Sequence, residues 1–152
     1  MDERLKKAEE LSRGKRDLFW HYFFSEELLE LDEPNPVGIA NLLDRASRGL
    51  IAIVTGRPRR LYRATVEQLK RVGIPLERIW RICMRRDNDR RKSPIVKLEM
   101  VLELMYEGYE IAEIHDDDEE FLELATKRIP SAELYIYRGT LVEKFRRYRR
   151  LL

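Results

Sequence analysis

Two groups of polar residues stand where chemistry could be done. Thr55, Gly56 and Arg57 end the apolar run of Leu50 to Val54, and Asp116, Asp117 and Asp118 follow the run of Tyr109 to Ile114. A hydroxyl, backbone N–H groups freed by glycine and a guanidinium all suit phosphate oxygens. Carboxylates gathered at the end of a buried strand repel one another unless a cation or a proton relieves them, and magnesium takes one or two carboxylates beside phosphate. The pairing to expect is therefore a phosphate next to a magnesium ion. Each group also has a plainer reading. Thr-Gly-Arg serves as an ordinary strand-to-helix turn. The three aspartates serve as caps where negative charge suits a helix dipole, Asp118 most plainly. His115 reads as a structural strand-end residue, since magnesium prefers oxygen.

Further cations lie between these groups. Lys97, in SPIVKLEM, sits near the start of a largely apolar helix and can project over the strand ends. The preceding loop carries Arg85, Arg86, Arg90, Arg91 and Lys92 against only Asp87 and Asp89. That composition is either a solvated loop or a clamp for a polyanion. The tail FRRYRRLL is a basic helix that could meet nucleic acid or a membrane surface; Phe145, Tyr148 and Leu152 have the spacing to dock it on the body instead.

The elements that would position these residues follow from periodicity. Helices are predicted over 2–12, 17–31, 37–48, 59–72, 94–107 and 117–128, with a final basic helix capped by Thr140. Ser93 is read as an N-cap and Pro94 as the first helical position. Strands are predicted over 50–54, 79–83, 109–114 and 134–137. The run LFWHYFF has the β-propensity of a strand, but the Ser-Glu-Glu-Leu-Leu-Glu behind it favours helix. From residue 37 the alternation of helix and strand implies an α/β domain with a mostly parallel sheet, right-handed crossovers and helices on both faces. Ligands bind such sheets at the carboxyl ends of the strands. The whole of 1–152 reads as a single domain, with a helical segment over 1–31 and an α/β core over 37–152.

Composition bounds the function. Charged residues are 38% of the chain, against a usual share of about 25%, and much of the excess is arginine. Dense charge of this kind matches proteins from hot environments. Thirty basic residues against 28 acidic ones leave a net charge of +2, which demands no nucleic-acid partner by itself. Cys83 is the single cysteine, so there is no disulfide framework. No apolar run approaches the roughly 20 residues that span a bilayer. A cytoplasmic protein without a membrane partner is the expectation.

Taken in order, the groups resemble the haloacid dehalogenase (HAD) superfamily of phosphohydrolases. IAIVTGRP is similar to its second motif, Lys97 to the lysine of its third, and IAEIHDDD to its fourth. The subgroup most similar is that of the 3′-phosphatase domains of polynucleotide kinase-phosphatases, where an arginine-bearing loop precedes the lysine as Arg85, Asp89 and Arg91 precede Lys97. The resemblance spans roughly residues 32 to 137. It implies a three-layer Rossmann-like domain and a magnesium-dependent phosphomonoesterase acting on nucleic-acid or nucleotide phosphates. In it Thr55 and Lys97 are the catalytic positions, Gly56, Arg57, Arg85 and Arg91 bind substrate, and Asp116 and Asp117 hold magnesium.

One departure matters. The first motif, a central strand ending in Asp-x-Asp-Gly-Thr that supplies nucleophile and general acid, has no match here. The expectation is that this strand lies upstream of Met1, or is lost. Leu50–Val54 and Tyr109–Ile114 would then pair directly, or another copy would fill the gap in a homodimer, or residues 17–24 would form a strand after all. Without the aspartate, aspartyl-phosphate chemistry has no route. The alternative function is a non-catalytic module that binds phosphate or nucleic-acid ends, and the partner in either case is a phosphorylated small molecule or a nucleic-acid end.

Overall fold

A computed structural model describes residues 20–29 and 31–145. Six strands form one sheet: β1 (His21–Ser25), β2 (Leu50–Pro58), β3 (Ile79–Arg85), β4 (Ile111–Asp116), β5 (Glu133–Arg138) and β6 (Leu141–Lys144). The order is β3-β2-β1-β4-β5-β6, and every pairing is parallel except that of β5 with β6. The helices are α1 (Glu26–Leu29), α2 (Pro36–Ala46), α3 (Tyr62–Arg71), α4 (Ser93–Tyr106) and α5 (Glu119–Arg128). The architecture is the expected three-layer, Rossmann-like α/β arrangement.

The helix predicted over 17–31 is corrected. Residues 21–25 are a strand, and they occupy the centre of the sheet between β2 and β4. Phe23 packs with α4 and α5 on one face, and Phe24 with α2 on the other; they are 1% and 0% exposed. A strand buried on both faces reads as a continuous apolar run, which periodicity alone does not separate from a helix. Its place between β2 and β4, buried on both faces, decides the matter in the direction its β-propensity also favours. The predicted gap is thus filled from within the chain, which removes the reason given for a second copy. Among the described residues of that stretch, only Glu26–Leu29 keep the predicted helical form.

The chain's carboxyl end needs a second correction. Thr140 caps no helix. Gly139, at φ +61°, and Thr140 form a two-residue turn that pairs Arg138 with Leu141 in an antiparallel hairpin. A glycine in a two-residue loop between strand-forming residues is a hairpin signal, and here it overrides the capping signal of threonine. The predicted helix over 2–12, with Tyr148 and Leu152 of the tail, lies outside the described residues; Phe145 packs against the core beside α5 and β5 as expected.

The remaining elements match their predictions within a few residues. Asn35 caps α2, accepting from the N–H groups of Val37 and Gly38 at 3.1 and 3.2 Å. Asp118 caps α5 by accepting from Phe121 N at 3.2 Å, as expected of it. Ser93 is not the N-cap of α4: that place falls to Lys92, whose side chain makes no capping bond. Among the described residues no helix is long and apolar enough to cross a membrane.

Candidate functional site at the carboxyl edge of the sheet

Three parallel strands, β2, β1 and β4, end side by side in polar residues. β2 delivers Thr55, Gly56 and Arg57; β4 delivers Asp116; β1 delivers Ser25, with Glu26 and Glu27 opening α1 directly behind it. Alternation along the strands sets their directions. Phe23 and Ile114 lie in the core against α4, so Ser25 and Asp116, two residues on, face the same helix. α4 brings Lys97 there, with the ammonium 2.8 Å from Asp116 Oδ2 and 3.6 Å from Asp118 Oδ2.

Gly56 is what allows α4 to come so near. A Cβ on Gly56 would stand 2.6 Å from Ser93 Oγ and 3.6 Å from Glu27 Oε1. Glu27 Oε1 accepts from Gly56 N at 3.3 Å, and its other oxygen accepts from the Ser25 hydroxyl. Glu26, 5% exposed, accepts from Thr55 Oγ1 at 3.2 Å and pairs with Arg57 Nε at 2.7 Å. Asp116 Oδ1 accepts from the N–H groups of Asp117 and Asp118 at 2.7 and 3.0 Å. Both oxygens of each of these three carboxylates are therefore engaged by the chain itself.

Burial works against the charges here. It pulls the Lys97 ammonium down, but Asp116, Glu27 and Asp118 more than offset it and leave its pKa above the ordinary value. One ammonium among several acids stays charged. Asp116, sharing that ammonium, is pushed up by burial to about 7. Burial and the neighbouring Glu27 also raise the Glu26 carboxyl.

The expected site residues divide into those brought together and those used otherwise. Thr55, Gly56, Arg57, Lys97 and Asp116 converge. Asp117 is adjacent but exposed. Arg85 folds the loop: its Nε donates to Gly56 O at 2.8 Å and Nη1 to Asp89 O at 3.1 Å. Arg91 pairs with Asp89 at 2.7 Å and with Glu99, and it holds the Asp89 carboxyl down at about 2. The implied magnesium finds no ready-made site in this arrangement. The oxygens of Asp116 already hold Lys97 and two backbone amides, and among the described residues no three His, Cys, Asp or Glu side chains are grouped to hold a metal. Ser25, Glu26 and Glu27 were not anticipated at the site, and Ser93 was expected only as an N-cap. The criterion that found the other two strand ends, an apolar run stopping abruptly in polar residues, applies equally to YFFSEE.

Beside these strand ends runs a cationic rim. Arg59, Arg60 and Arg63 flank the start of α3, and Arg86, Arg90 and Lys92 lie on the loop before α4; all six are exposed, and none makes an ion pair among the described residues. The two segments are tied together where Arg60 N donates to Asp87 Oδ1 at 2.9 Å.

His115 has the structural role expected of it. It is 1% exposed and stacks between Phe24 and Tyr135, with ring centroids 4.1 and 4.6 Å away. Its Nε2 lies 2.7 Å from Glu113 Oε1 and its Nδ1 2.6 Å from the Tyr137 hydroxyl. Burial lowers its pKa. The ring is thus neutral, donating to Glu113 and accepting from Tyr137.

No family model matches the chain, and no curated protein does. Among solved structures, a chain of the Pnkp1/Rnl/Hen1 RNA repair complex is similar, with a TM-score of 0.65 and 18% identity over 80% of this chain and 43% of that one. A chain from another structure of the Pnkp1/Rnl/Hen1 complex gives 0.61 and 20% over 79% and 46%. The present chain therefore spans less than half the length of either neighbour, and at these identities the similarity is one of fold.

Proposed function

We propose that this chain is a HAD-like domain that binds a nucleic-acid strand along the carboxyl edge of its sheet and does not hydrolyse phosphate esters through an aspartyl-phosphate. The observation that carries the reading is the rim of six exposed cations bordering the strand ends, with Asp87, bonded to Arg60 N, as the one exposed carboxylate on the two segments that carry them. Exposed arginines and lysines arrayed along one edge attract a polyanion and release its counterions. Two further points support the reading. The central strand ends in Ser25, where the resemblance calls for the nucleophilic aspartate, and a serine hydroxyl that donates to Glu27 is no substitute for an ionised carboxylate. Both structural neighbours are chains of the Pnkp1/Rnl/Hen1 complex, an RNA repair complex, which makes RNA the first nucleic acid to try.

The test is a titration of fluorescently labelled single-stranded RNA with the protein, repeated across a salt series. Binding with a Kd of roughly 1–100 µM at physiological salt, tighter at low salt, is expected. If all six cations reach phosphates, log K should fall with log[salt] with a slope of about −4 on a single strand. Absence of binding at low salt would refute the reading. So would sustained, magnesium-dependent phosphate release from a 3′-phosphorylated oligonucleotide, which would restore the phosphomonoesterase.

A further inference from the structure

We infer that the anion-binding groups at the strand ends are held by the chain's own carboxylates, so that a bound strand is recognised by its phosphodiester backbone and not by a terminal phosphate monoester. The donors that ought to receive a phosphate can be followed one by one. The Thr55 hydroxyl donates to Glu26, and the Arg57 guanidinium pairs with the same carboxylate and donates to Gln68. Gly56 N and the Ser25 hydroxyl both donate to Glu27. Lys97 donates to Asp116. Each donor therefore has a carboxylate in the place where a phosphate oxygen would sit.

Charge leads to the same conclusion. Glu26, Glu27, Asp116, Asp117 and Asp118 stand at this edge against Arg57 and Lys97. A monoester dianion entering there meets a surplus of its own sign in a half-buried place, where charges act more strongly than in water. A phosphodiester carries one negative charge per residue and needs no such pocket; the exposed rim suits it. Glu27 is the side chain that decides between the two. It bridges β1 to the glycine turn of β2, it is only half-buried, and it opens a helix of four residues that a small change could repack.

The ligand class named here rests on the nucleic-acid reading of the rim, whereas the filling of the pocket does not, and the test separates them. Three RNA oligonucleotides of one sequence, with a 3′-phosphate, a 5′-phosphate or hydroxyls at both ends, are bound to the wild-type chain. Inorganic phosphate is then added at 10 mM to the wild type and to Glu27→Ala while thermal unfolding is followed. The three affinities should agree within about twofold, since no end is read. Phosphate should leave the wild-type Tm in place and raise that of Glu27→Ala by about 3 °C or more. A preference of about tenfold for one phosphorylated end would overturn the inference. So would phosphate stabilising the wild type, or a folded Glu27→Ala that ignores phosphate. If Glu27→Ala does not fold, the wild-type measurements alone decide. Failure of all three oligonucleotides to bind sinks the rim as a nucleic-acid surface, and the phosphate series still judges the pocket.

Discussion

Replacing Lys97 with methionine tests how the strand ends are held. The ammonium is 2% exposed and its carboxylate partner, Asp116, 1% exposed, at 2.8 Å. At pH 8, where Asp116 beside Lys97 is ionised, removing one member of the buried pair leaves the other to go unpaired or take up a proton, at a cost of up to about 3–5 kcal/mol. For a chain of this size that lowers Tm by roughly 6–20 °C. A second variant isolates the pair. Asparagine at 116 keeps an Oδ1 to accept from the N–H groups of Asp117 and Asp118 and carries no charge. Lys97→Met/Asp116→Asn should therefore be at least about 2 kcal/mol more stable than Lys97→Met alone. The pH dependence has a definite sign. Asp116 has its pKa raised from 3.8 to about 7 on folding, so its contribution to stability is complete below about 3.8 and is lost as pH rises through about 7. Without Lys97 its pKa goes higher still, and the deficit of Lys97→Met should shrink between pH 8 and pH 5. Urea unfolding at several pH values measures all of this. A single variant costing under about 1 kcal/mol, or a double variant no better than the single, would refute the reasoning.

Other perturbations have equally definite outcomes. A Cβ at Gly49 would stand 2.4 Å from Trp20 O and 2.7 Å from Tyr22 Cε2, so Gly49→Ala should displace the start of β1 and cost about 1–3 kcal/mol by thermal unfolding. His115 has its pKa lowered from 6.5 by burial, so the stability it lends is present above about 6.5 and is lost as pH falls. His115→Phe keeps a ring between Phe24 and Tyr135, and its stability should depend less on pH between 7 and 5 than that of the wild type. Arg86→Glu/Arg90→Glu should weaken RNA binding at low salt and flatten the salt dependence by a slope of about 1.4, about 0.7 for each cation removed, with Tm unchanged.

Most of the fold was legible in the sequence because four of its strands are bounded by strong punctuation. Gly49, Gly73 and Gly108 close helices just before β2, β3 and β4, and the pair Pro130-Ser131 precedes β5. β1 lacks such a boundary. It runs from an aromatic stretch directly into Glu26, and what makes it a strand is burial on both faces, a tertiary fact that local propensity does not carry. The β5–β6 hairpin was hidden by a different conflict, threonine as a helix cap against Gly139 as a turn residue, which the sheet resolved.

The site was legible where strand and chemistry coincided. Thr55, Gly56, Arg57, Lys97 and Asp116 converge because parallel strands end on one edge. Arg85 and Arg91 are used otherwise, since a loop rich in cations first satisfies its own carbonyls and carboxylates; Arg85 holds Asp89 O and ties the loop to Gly56 O of β2, and Arg91 holds Asp89. The acids of α1 stayed out of view for the same reason as β1. Until that strand is placed at the centre, nothing puts Glu26 and Glu27 beside Thr55 and Gly56.

The most direct measurement is an amide NMR titration of the isotope-labelled chain with a short single-stranded RNA at low salt. Progressive shifts are expected along Arg59 to Arg63 and Arg86 to Lys92, with Ser25, Glu27 and Asp116 unmoved. Shifts concentrated at Ser25, Gly56 and Asp116, with the rim silent, would contradict this expectation and return the strand ends to the role of a phosphate-monoester site.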